Sequence, residues 1–169
     1  KYYMAVYTKV SHNEAEEFLK SYDDVGSIIS INGIKEGVEN TNYILLTSKN
    51  RYILTLYENR VLDSDIPFFI DLMLHLDKNK ITCPKPIQMV DGNYTKILNG
   101  KSAAIFSFLE GKSTLNIKNE HCYLVGQTLA NIHQKTSNLK INRENTLSFK
   151  YWEKLYNSII SPLDKYKKN

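Results

Sequence analysis

The fold is decided by the stretch Gly33-Ile-Lys-Glu-Gly37-Val-Glu-Asn40-Thr-Asn42-Tyr43, a polar loop that contains two glycines. The run from Ser27 to Ile31 precedes this loop and the run from Tyr43 to Thr47 follows it, and both are rich in β-forming residues. Taken alone, the loop is compatible with a plain hairpin whose glycines supply positive φ angles. It is also compatible with a loop whose backbone N–H groups close over an anionic ligand. The neighbouring elements are needed to decide between the two interpretations.

Five further segments can be assigned by their patterns. Ser11-His-Asn-Glu14 fits a capping box and opens a helix that runs to about Tyr22. Arg51 to Glu58 is a third strand, and from Asp63 to Asp77 the apolar residues take a helical spacing on two faces. A helix that is apolar on two faces is normally buried on two sides. Two more strands are predicted, a short one at Ile87 to Val90 and a fifth at Lys101 to Leu109.

After Gly111 the pattern is helical only, with a stripe in the first helix and a last helix from about Phe149 to Tyr166. The sequence therefore predicts an α+β protein. Residues 1–110 form a lobe with an N-terminal helix, a five-stranded antiparallel sheet and a buried helix, and residues 111–169 begin a helical lobe. This order of elements is that of a protein-kinase-like N-lobe, which favours a loop that covers the phosphates of ATP.

Composition and charge exclude several classes of protein. Apolar residues make up 42% of the 169 residues, which supports a packed core. The net charge of +4 is scattered, and the basic cluster from Lys165 to Lys168 is typical of a solvated tail rather than a nucleic-acid patch. No apolar run approaches the roughly 18 residues of a membrane span, and no signal peptide is visible. We therefore expect a cytoplasmic protein without nucleic-acid or membrane partners and, from the spacing of its cysteines and histidines, without a metal site in this chain.

Several motifs resemble one family of enzymes. Gly37-x-x-Asn40-x-x-Tyr43 resembles the phosphate loop of the aminoglycoside phosphotransferase and choline kinase superfamily. Five blocks look like the N-terminal portion of the bacterial homoserine kinases of that superfamily: Met4–Val10, Gly37–Tyr43, Leu54–Glu58, Pro67–Phe69 and Phe108–Gly111. No single block is specific, but together they form a specific set.

The resemblance implies ATP-dependent phosphorylation of the side-chain hydroxyl of L-homoserine, a step toward threonine, with Mg²⁺ neutralising phosphate charge. It implies that the phosphates are covered by the amides of Gly37, Val38, Glu39, Asn40, Thr41 and Asn42. The hinge of the superfamily falls at Phe106, Ser107, Phe108 and Leu109, where the Ser107 carbonyl and the Leu109 amide would pair with the adenine edge. Strand alternation places Ile53 over the adenine and Thr55 nearer the phosphates.

Thr55 is a departure from the family pattern. Kinases of this fold usually place a lysine there, paired with a glutamate on the buried helix, whereas this sequence has threonine, and the predicted helix offers Asp71 but no glutamate. A neutral hydroxyl supplies no positive charge, so Arg60, just past the strand, is a candidate for the missing cation. A solvated arginine at a strand end is an equally good interpretation of Arg60.

The family's catalytic loop is the other departure. Its histidine–aspartate motif and its second aspartate for Mg²⁺ are missing, because the only aspartate after Asp91 is Asp164. We therefore expect the catalytic residues, the Mg²⁺ ligands and most of the homoserine pocket to lie beyond Asn169, and no useful activity from this chain alone. Exposed apolar faces on the helices after Gly111 are expected to cause self-association. Two alternatives stay open: a kinase of another small alcohol, such as an aminoglycoside, choline or a sugar, and a non-catalytic nucleotide-binding or interaction module.

Overall fold

The computed structural model describes residues 5–146 and 148–163, and this part of the chain forms one five-stranded sheet with helices on both of its faces. Met4, Asp164 and the basic cluster at Lys165 to Lys168 lie outside the described residues, as does the end of the last predicted helix. The strands are β1 (Ile28–Gly33), β2 (Thr41–Thr47), β3 (Arg51–Leu56), β4 (Lys96–Leu98) and β5 (Lys101–Ser107). The helices are α1 (His12–Leu19), α2 (Ile66–Lys78), α3 (Asn119–Thr136) and α4 (Trp152–Leu163), with 3₁₀ turns at Asp63–Asp65 and Phe149–Tyr151.

The sheet has the order β1-β2-β3-β5-β4, and every neighbouring pair is antiparallel. Leu45 of β2, Leu54 of β3 and Ile105 of β5 are fully buried on one face, in a core cluster that includes Phe18 and Leu19 of α1. The predicted α+β fold with a five-stranded antiparallel sheet is confirmed.

The opposite face of the sheet packs against α2. Ile66 and Ile70 of this helix form a second buried cluster with Ala104 and Phe106 of β5, and Ile53 of β3 packs against it. The sheet is therefore the middle layer between α1 and α2. The alternation predicted for β3 is confirmed, because Leu54 and Leu56 face the α1 side while Ile53 faces the α2 side.

The predicted capping box begins α1. The Ser11 hydroxyl accepts a hydrogen bond from the Glu14 N–H at 3.3 Å, and the Glu14 carboxylate accepts one from the Ser11 N–H at 2.7 Å. Such reciprocal bonds satisfy two of the free N–H groups at a helix start. They hold α1 so that Ala15 and Phe18 point into the core.

The prediction of a strand at Ile87 to Val90 is wrong. This segment makes only isolated bridges, from Pro86 to Phe106 and from Met89 to Tyr22. The Ile87 N–H still donates to the Ile105 carbonyl, but the Met89 N–H donates to Asn93 and the Val90 N–H to Ser21, so no regular ladder with β5 continues. The fourth strand is β4, which is joined to β5 by a tight turn at Asn99 and Gly100 with φ angles of 51° and 75°. An Asn-Gly pair is the strongest short-range hairpin signal in a sequence, and it was available here.

The segment after Gly111 carries α3 and α4 and contacts the sheet lobe through α2. A ring nitrogen of His75 lies 2.7 Å from the Lys135 carbonyl oxygen, and the Arg143 guanidinium donates to Asp65 at 2.8 Å and covers the Phe69 ring. Several large apolar side chains of these helices are more than half exposed: Tyr123, Val125, Leu129, Trp152, Tyr156 and Ile159. In the described ranges, no helix is both long and apolar enough to cross a membrane.

Candidate functional site

A cleft of about 370 Å³ opens on the α2 face of the sheet. Its walls come from the loop between β1 and β2, from β2, β3 and β5, from α2 and from the proline-containing segment that leads away from α2. The lining residues are Glu39, Asn40, Asn42, Ile53, Thr55, Tyr57, Val61, Phe69, Met73, Pro84 and Phe106. Six of the residues singled out in the sequence therefore line one cleft: Glu39, Asn40, Asn42, Ile53, Thr55 and Phe106.

The cleft has an apolar end and a polar end. Ile53 pairs with Phe106 across β3 and β5, and Pro86 bridges to Phe106, so the apolar end lies where β5 leaves the sheet. Thr55 is two residues along β3 from Ile53, on the same face and about 7 Å away. Thr55 pairs with Asn42, so the polar end lies at the loop between β1 and β2. This arrangement suits a ligand with one flat apolar part and one polar part.

Thr55 is a buried residue whose hydroxyl already has a partner. It donates a hydrogen bond to the Asn42 carboxamide oxygen at 2.8 Å, and only 8% of Thr55 is exposed. The Asn42 amide nitrogen lies 3.5 Å from the Asn40 carbonyl oxygen. Thr55 therefore fixes the Asn42 carboxamide at the mouth of the loop.

The loop between β1 and β2 is closed at its base and open at its tip. The Ile34 N–H donates to the Asn42 carbonyl at 2.8 Å, which ends the pairing of the two strands. Gly37 has a φ of 117° with open space around it, a conformation that other residues rarely adopt. Gly37 and Val38 form the exposed tip and do not line the cleft, whereas Glu39, Asn40 and Asn42 do.

Thr41 faces away from the cleft and is completely buried. Its hydroxyl accepts hydrogen bonds from the N–H groups of Tyr7 and Thr8, at 2.9 and 3.1 Å, and donates to Glu58 at 2.8 Å. Its side chain therefore anchors the loop to the N-terminal segment, and only its backbone remains for a ligand of the loop.

Glu58 is the centre of this anchor. Its carboxylate accepts hydrogen bonds from the hydroxyls of Thr8 and Thr41, at 2.7 and 2.8 Å, and lies 3.2 Å from the Lys101 ammonium. Burial raises the pKa of Glu58, but the two hydroxyl bonds and Lys101 outweigh it, so the pKa lies below its ordinary value. Glu58 is therefore a partly buried carboxylate that joins the N-terminal segment, the loop and β5.

At the end of β5, the backbone of Ser107 departs from regular pairing with the segment that contains Lys85. The Ser107 N–H donates to the Lys85 carbonyl at 2.9 Å, so the Ser107 backbone groups point away from β3. The Lys85 N–H, which would pair with the Ser107 carbonyl in a regular ladder, donates instead to the Ser107 hydroxyl at 2.9 Å. The Ser107 carbonyl is thereby released from its expected partner.

Arg51 holds the segment that follows Ser107. Its guanidinium lies over the Phe108 ring at 4.4 Å and pairs with the Glu110 carboxylate. The Phe108 N–H also donates weakly to the Arg51 carbonyl at 3.4 Å. Phe108 and Leu109 lie just beyond β5 and do not line the cleft. The predicted hinge residues therefore border the apolar end of the cleft, where Phe106 alone enters it.

Arg60 does not line the cleft. It lies in a neighbouring cavity of about 240 Å³ behind the loop, together with Tyr7, Val38, Glu39, Glu58 and Asn59. Its guanidinium is 3.8 Å from the Glu39 carboxylate. The structure thus places the predicted cation beside Glu39, the side chain that separates it from the polar end of the cleft.

A family model described as the phosphotransferase enzyme family matches residues 30–158. The chain belongs to this family. The predicted membership is confirmed, and the match covers the loop, the cleft and most of the helices that follow.

The chain is also similar to curated homoserine kinases. It is 46% identical to that of Paramagnetospirillum magneticum over 156 residues, which cover 92% of this chain and 48% of the relative. It is 44% identical to that of Bradyrhizobium diazoefficiens over 161 residues, which cover 95% of this chain and 49% of the relative. The chain therefore spans about half the length of the curated relatives it matches.

Two solved structures share its fold. One is a spectinomycin phosphotransferase in complex with ADP and spectinomycin, with a TM-score of 0.66 and 17% identity over 90% of this chain and 47% of that one. The other is an aminoglycoside phosphotransferase from Alicyclobacillus acidocaldarius, with a TM-score of 0.56 and 14% identity over 76% of this chain and 37% of that one. The phosphotransferase fold is thus shared at low sequence identity.

Five lining residues of this phosphotransferase cleft were missed in the sequence: Tyr57, Val61, Phe69, Met73 and Pro84. Tyr57 could have been found, because it continues the alternation of Ile53 and Thr55. Phe69 and Met73 are four residues apart and so share a face of α2. Burial raises the pKa of Tyr57 to about 12, so its phenol is neutral at neutral pH and adds no charge to the cleft.

Metal ligands do not gather in the part of the chain that the structure describes. No group of three or more His, Cys, Asp or Glu side chains comes together within residues 5–146 and 148–163.

We expect Glu58→Gln to lower the free energy of unfolding at neutral pH by about 1–3 kcal/mol, because the two hydroxyl bonds lose their charged acceptor and the ion pair with Lys101 is lost. The folded state lowers the pKa of Glu58 below its ordinary 4.5, so its contribution is complete above that pH and is lost as the pH falls through the folded pKa. Urea unfolding measured from about pH 7 to about pH 3 should therefore show a steeper acid loss in the wild type than in Glu58→Gln. Glu36→Gln, at an exposed loop position, is the control. Equal acid losses in wild type and Glu58→Gln would contradict the assignment.

Proposed function

We propose that this chain supplies the ATP-binding lobe of a homoserine kinase, which transfers a phosphoryl group from ATP to the side-chain hydroxyl of L-homoserine in threonine biosynthesis. The observation that carries the proposal is 44–46% identity to homoserine kinases across more than nine-tenths of this chain. The cleft supports ATP as the phosphoryl donor, and the similarity to the relatives supports L-homoserine as the acceptor.

The two ends of the cleft suit the two parts of ATP. The apolar end, with Ile53, Met73 and Phe106, would hold the adenine ring, and the released Ser107 carbonyl and the Leu109 amide would bind its edge. The polar end would hold the phosphates, with the loop amides from Gly37 to Asn42 as donors. Asn40 and Asn42 add carboxamide groups at that end.

The role of this chain in the reaction is positioning. Thr55 orients Asn42, Glu58 and Thr41 fix the base of the loop, and Arg51 fixes the segment after Ser107. A bound Mg²⁺ would neutralise phosphate charge, and we expect its ligands outside the described residues. We further propose that residues 1–110 act as one lobe, that residues 111–169 begin the next, and that the reaction takes place in the cytoplasm.

An enzyme expressed from the complete coding sequence is expected to release ADP in the presence of L-homoserine, whereas the 169-residue chain alone is expected to bind ATP without homoserine-dependent turnover. A coupled ADP-release assay measures both. Spectinomycin, choline and simple sugars serve as the other acceptors. Turnover with one of these acceptors but none with L-homoserine would contradict the proposed substrate.

Ile53→Ala should weaken ATP binding to the chain by about tenfold, because the methylene groups that cover the adenine ring are lost. Ile97→Ala is a matched control, because Ile97 is an exposed isoleucine of β4 away from the cleft. Isothermal titration calorimetry with ATP and with adenosine measures the effect, and both ligands should lose affinity equally. A loss for ATP alone would place Ile53 at the phosphates rather than at the adenine.

We propose that the chain self-associates through the exposed apolar side chains of α3 and α4. Size-exclusion chromatography with light scattering should give a mass above that of one chain, which rises with protein concentration. Replacing Val125 and Leu129 by glutamate should restore the single-chain mass, since both are more than half exposed. Gln127→Glu, which adds a charge on the same helix, should not; a single-chain mass for the wild type would refute self-association.

A further inference from the structure

The polar end of the cleft carries the wrong charge for phosphates. Among the eleven lining residues the single charged side chain is Glu39, a carboxylate on the loop itself. A polyphosphate placed under this loop would be repelled by Glu39 and would meet no lysine or arginine of the lining. No side chain of the lining therefore offsets the phosphate charge at the polar end.

Glu39 connects the polar end of the cleft to Arg60. It lines both the cleft and the cavity behind the loop, and in that cavity its carboxylate lies 3.8 Å from the Arg60 guanidinium. The Arg60 side chain is 70% exposed and that of Glu39 is 55% exposed. Ion pairs this exposed are worth little, so the pair can separate at small cost.

The other charges around Arg60 are already engaged. Glu58 accepts from two hydroxyls and pairs with Lys101, and the Lys101 ammonium also donates to the Asn59 carboxamide at 2.9 Å. Neither Glu58 nor Lys101 is thus free to take the place of Glu39 or Arg60. The exchangeable charges at this end of the cleft are Glu39 and Arg60.

The loop backbone beside Glu39 is supported independently of the ion pair. The Tyr7 hydroxyl donates to the Val38 carbonyl at 3.3 Å from the side away from the cleft. The Arg60–Glu39 pair can therefore separate without removing this support from the loop backbone.

We propose that Arg60 exchanges partners when the nucleotide binds, leaving the carboxylate of Glu39 for the phosphate oxygens of ATP. In the nucleotide-free protein, the Glu39 carboxylate takes the place of the phosphate as the partner of Arg60 and holds Arg60 beside the loop. This inference rests on the proposed ATP site and adds a specific pair of residues to it. It explains how a site with threonine at position 55 obtains a cation, because a guanidinium can bind phosphate oxygens through two parallel hydrogen bonds.

The exchange predicts opposite effects for the two residues. Arg60→Ala should weaken ATP binding by about tenfold, because a charge-assisted contact to phosphate is lost. Glu39→Gln should strengthen ATP binding by about threefold, since it removes both the competitor for Arg60 and a repulsive charge. Neither change should alter the affinity for adenosine, which has no phosphates.

The experiment is calorimetric titration of the 169-residue chain with ATP and with adenosine, on Arg60→Ala, Glu39→Gln and the double variant. Lys35→Ala is the matched control, because Lys35 is a cation on the same loop that lines neither cavity. The double variant decides whether Arg60 contacts the phosphates or only neutralises Glu39. If Arg60 contacts the phosphates, adding Arg60→Ala to Glu39→Gln still weakens ATP binding by about tenfold.

Two results would overturn the exchange. Unchanged ATP affinity in Arg60→Ala would remove Arg60 from the site. A loss with Arg60→Ala that disappears in the Glu39→Gln background would show that Arg60 only neutralises Glu39 and does not touch the phosphates. Failure of the proposed function gives a different result, since the wild-type chain would then bind neither ATP nor adenosine.

Discussion

β3 lies in the middle of the sheet between β2 and β5, so its side chains can point in only two directions. Leu54 and Leu56 point into the core under α1 and are fully buried. Ile53 and Thr55 point to the other side, where they form the floor of the cleft. The strand that holds the core together therefore also spaces the two ends of the cleft. A shift of β3 by one residue would exchange core and cleft side chains, so the core fixes the register of the site.

The loop over the cleft depends on a second set of contacts, on the far side of the sheet. Thr41 is part of the loop's base, yet its hydroxyl is bonded to the N-terminal segment and to Glu58. Loops that bind ligands are usually the mobile parts of a fold. Here the tip at Gly37 is open, while the base is held by partly buried hydrogen bonds that include a charged group. The amides of the loop can therefore be positioned while its tip stays free to adjust.

Sequence patterns located most of the fold because those patterns reflect local constraints. The capping box at Ser11, the alternation in β3 and the helical spacing in α2 involve residues within four positions of one another, and all three were predicted. β4 was misplaced because the apolar run after Pro86 resembles a strand, while its backbone cannot pair regularly. The Thr8–Thr41–Glu58–Lys101 network could not be predicted, because its members lie at least 17 residues apart in sequence and no period connects them. For the same reason, the sequence did not predict that Val61 and Pro84 line the cleft. Their positions depend on the path of the chain and not on a local pattern.

In the proposed ATP site, the threonine at position 55 changes how the phosphate end of the cleft is built. A lysine there would be a buried cation that needs a permanent anionic partner, because an unpaired buried charge is costly. Thr55 needs only a hydrogen bond, and Asn42 provides it. The positive charge then has to come from an exposed side chain, where desolvation is small but screening by salt is large. Affinity for phosphates in such a site depends on ionic strength, whereas affinity for the adenine depends on apolar contacts that salt does not screen. In this proposed site, apolar contacts at one end of the cleft position the nucleotide. Salt-screened electrostatic interactions at the other end determine how strongly its phosphates are held.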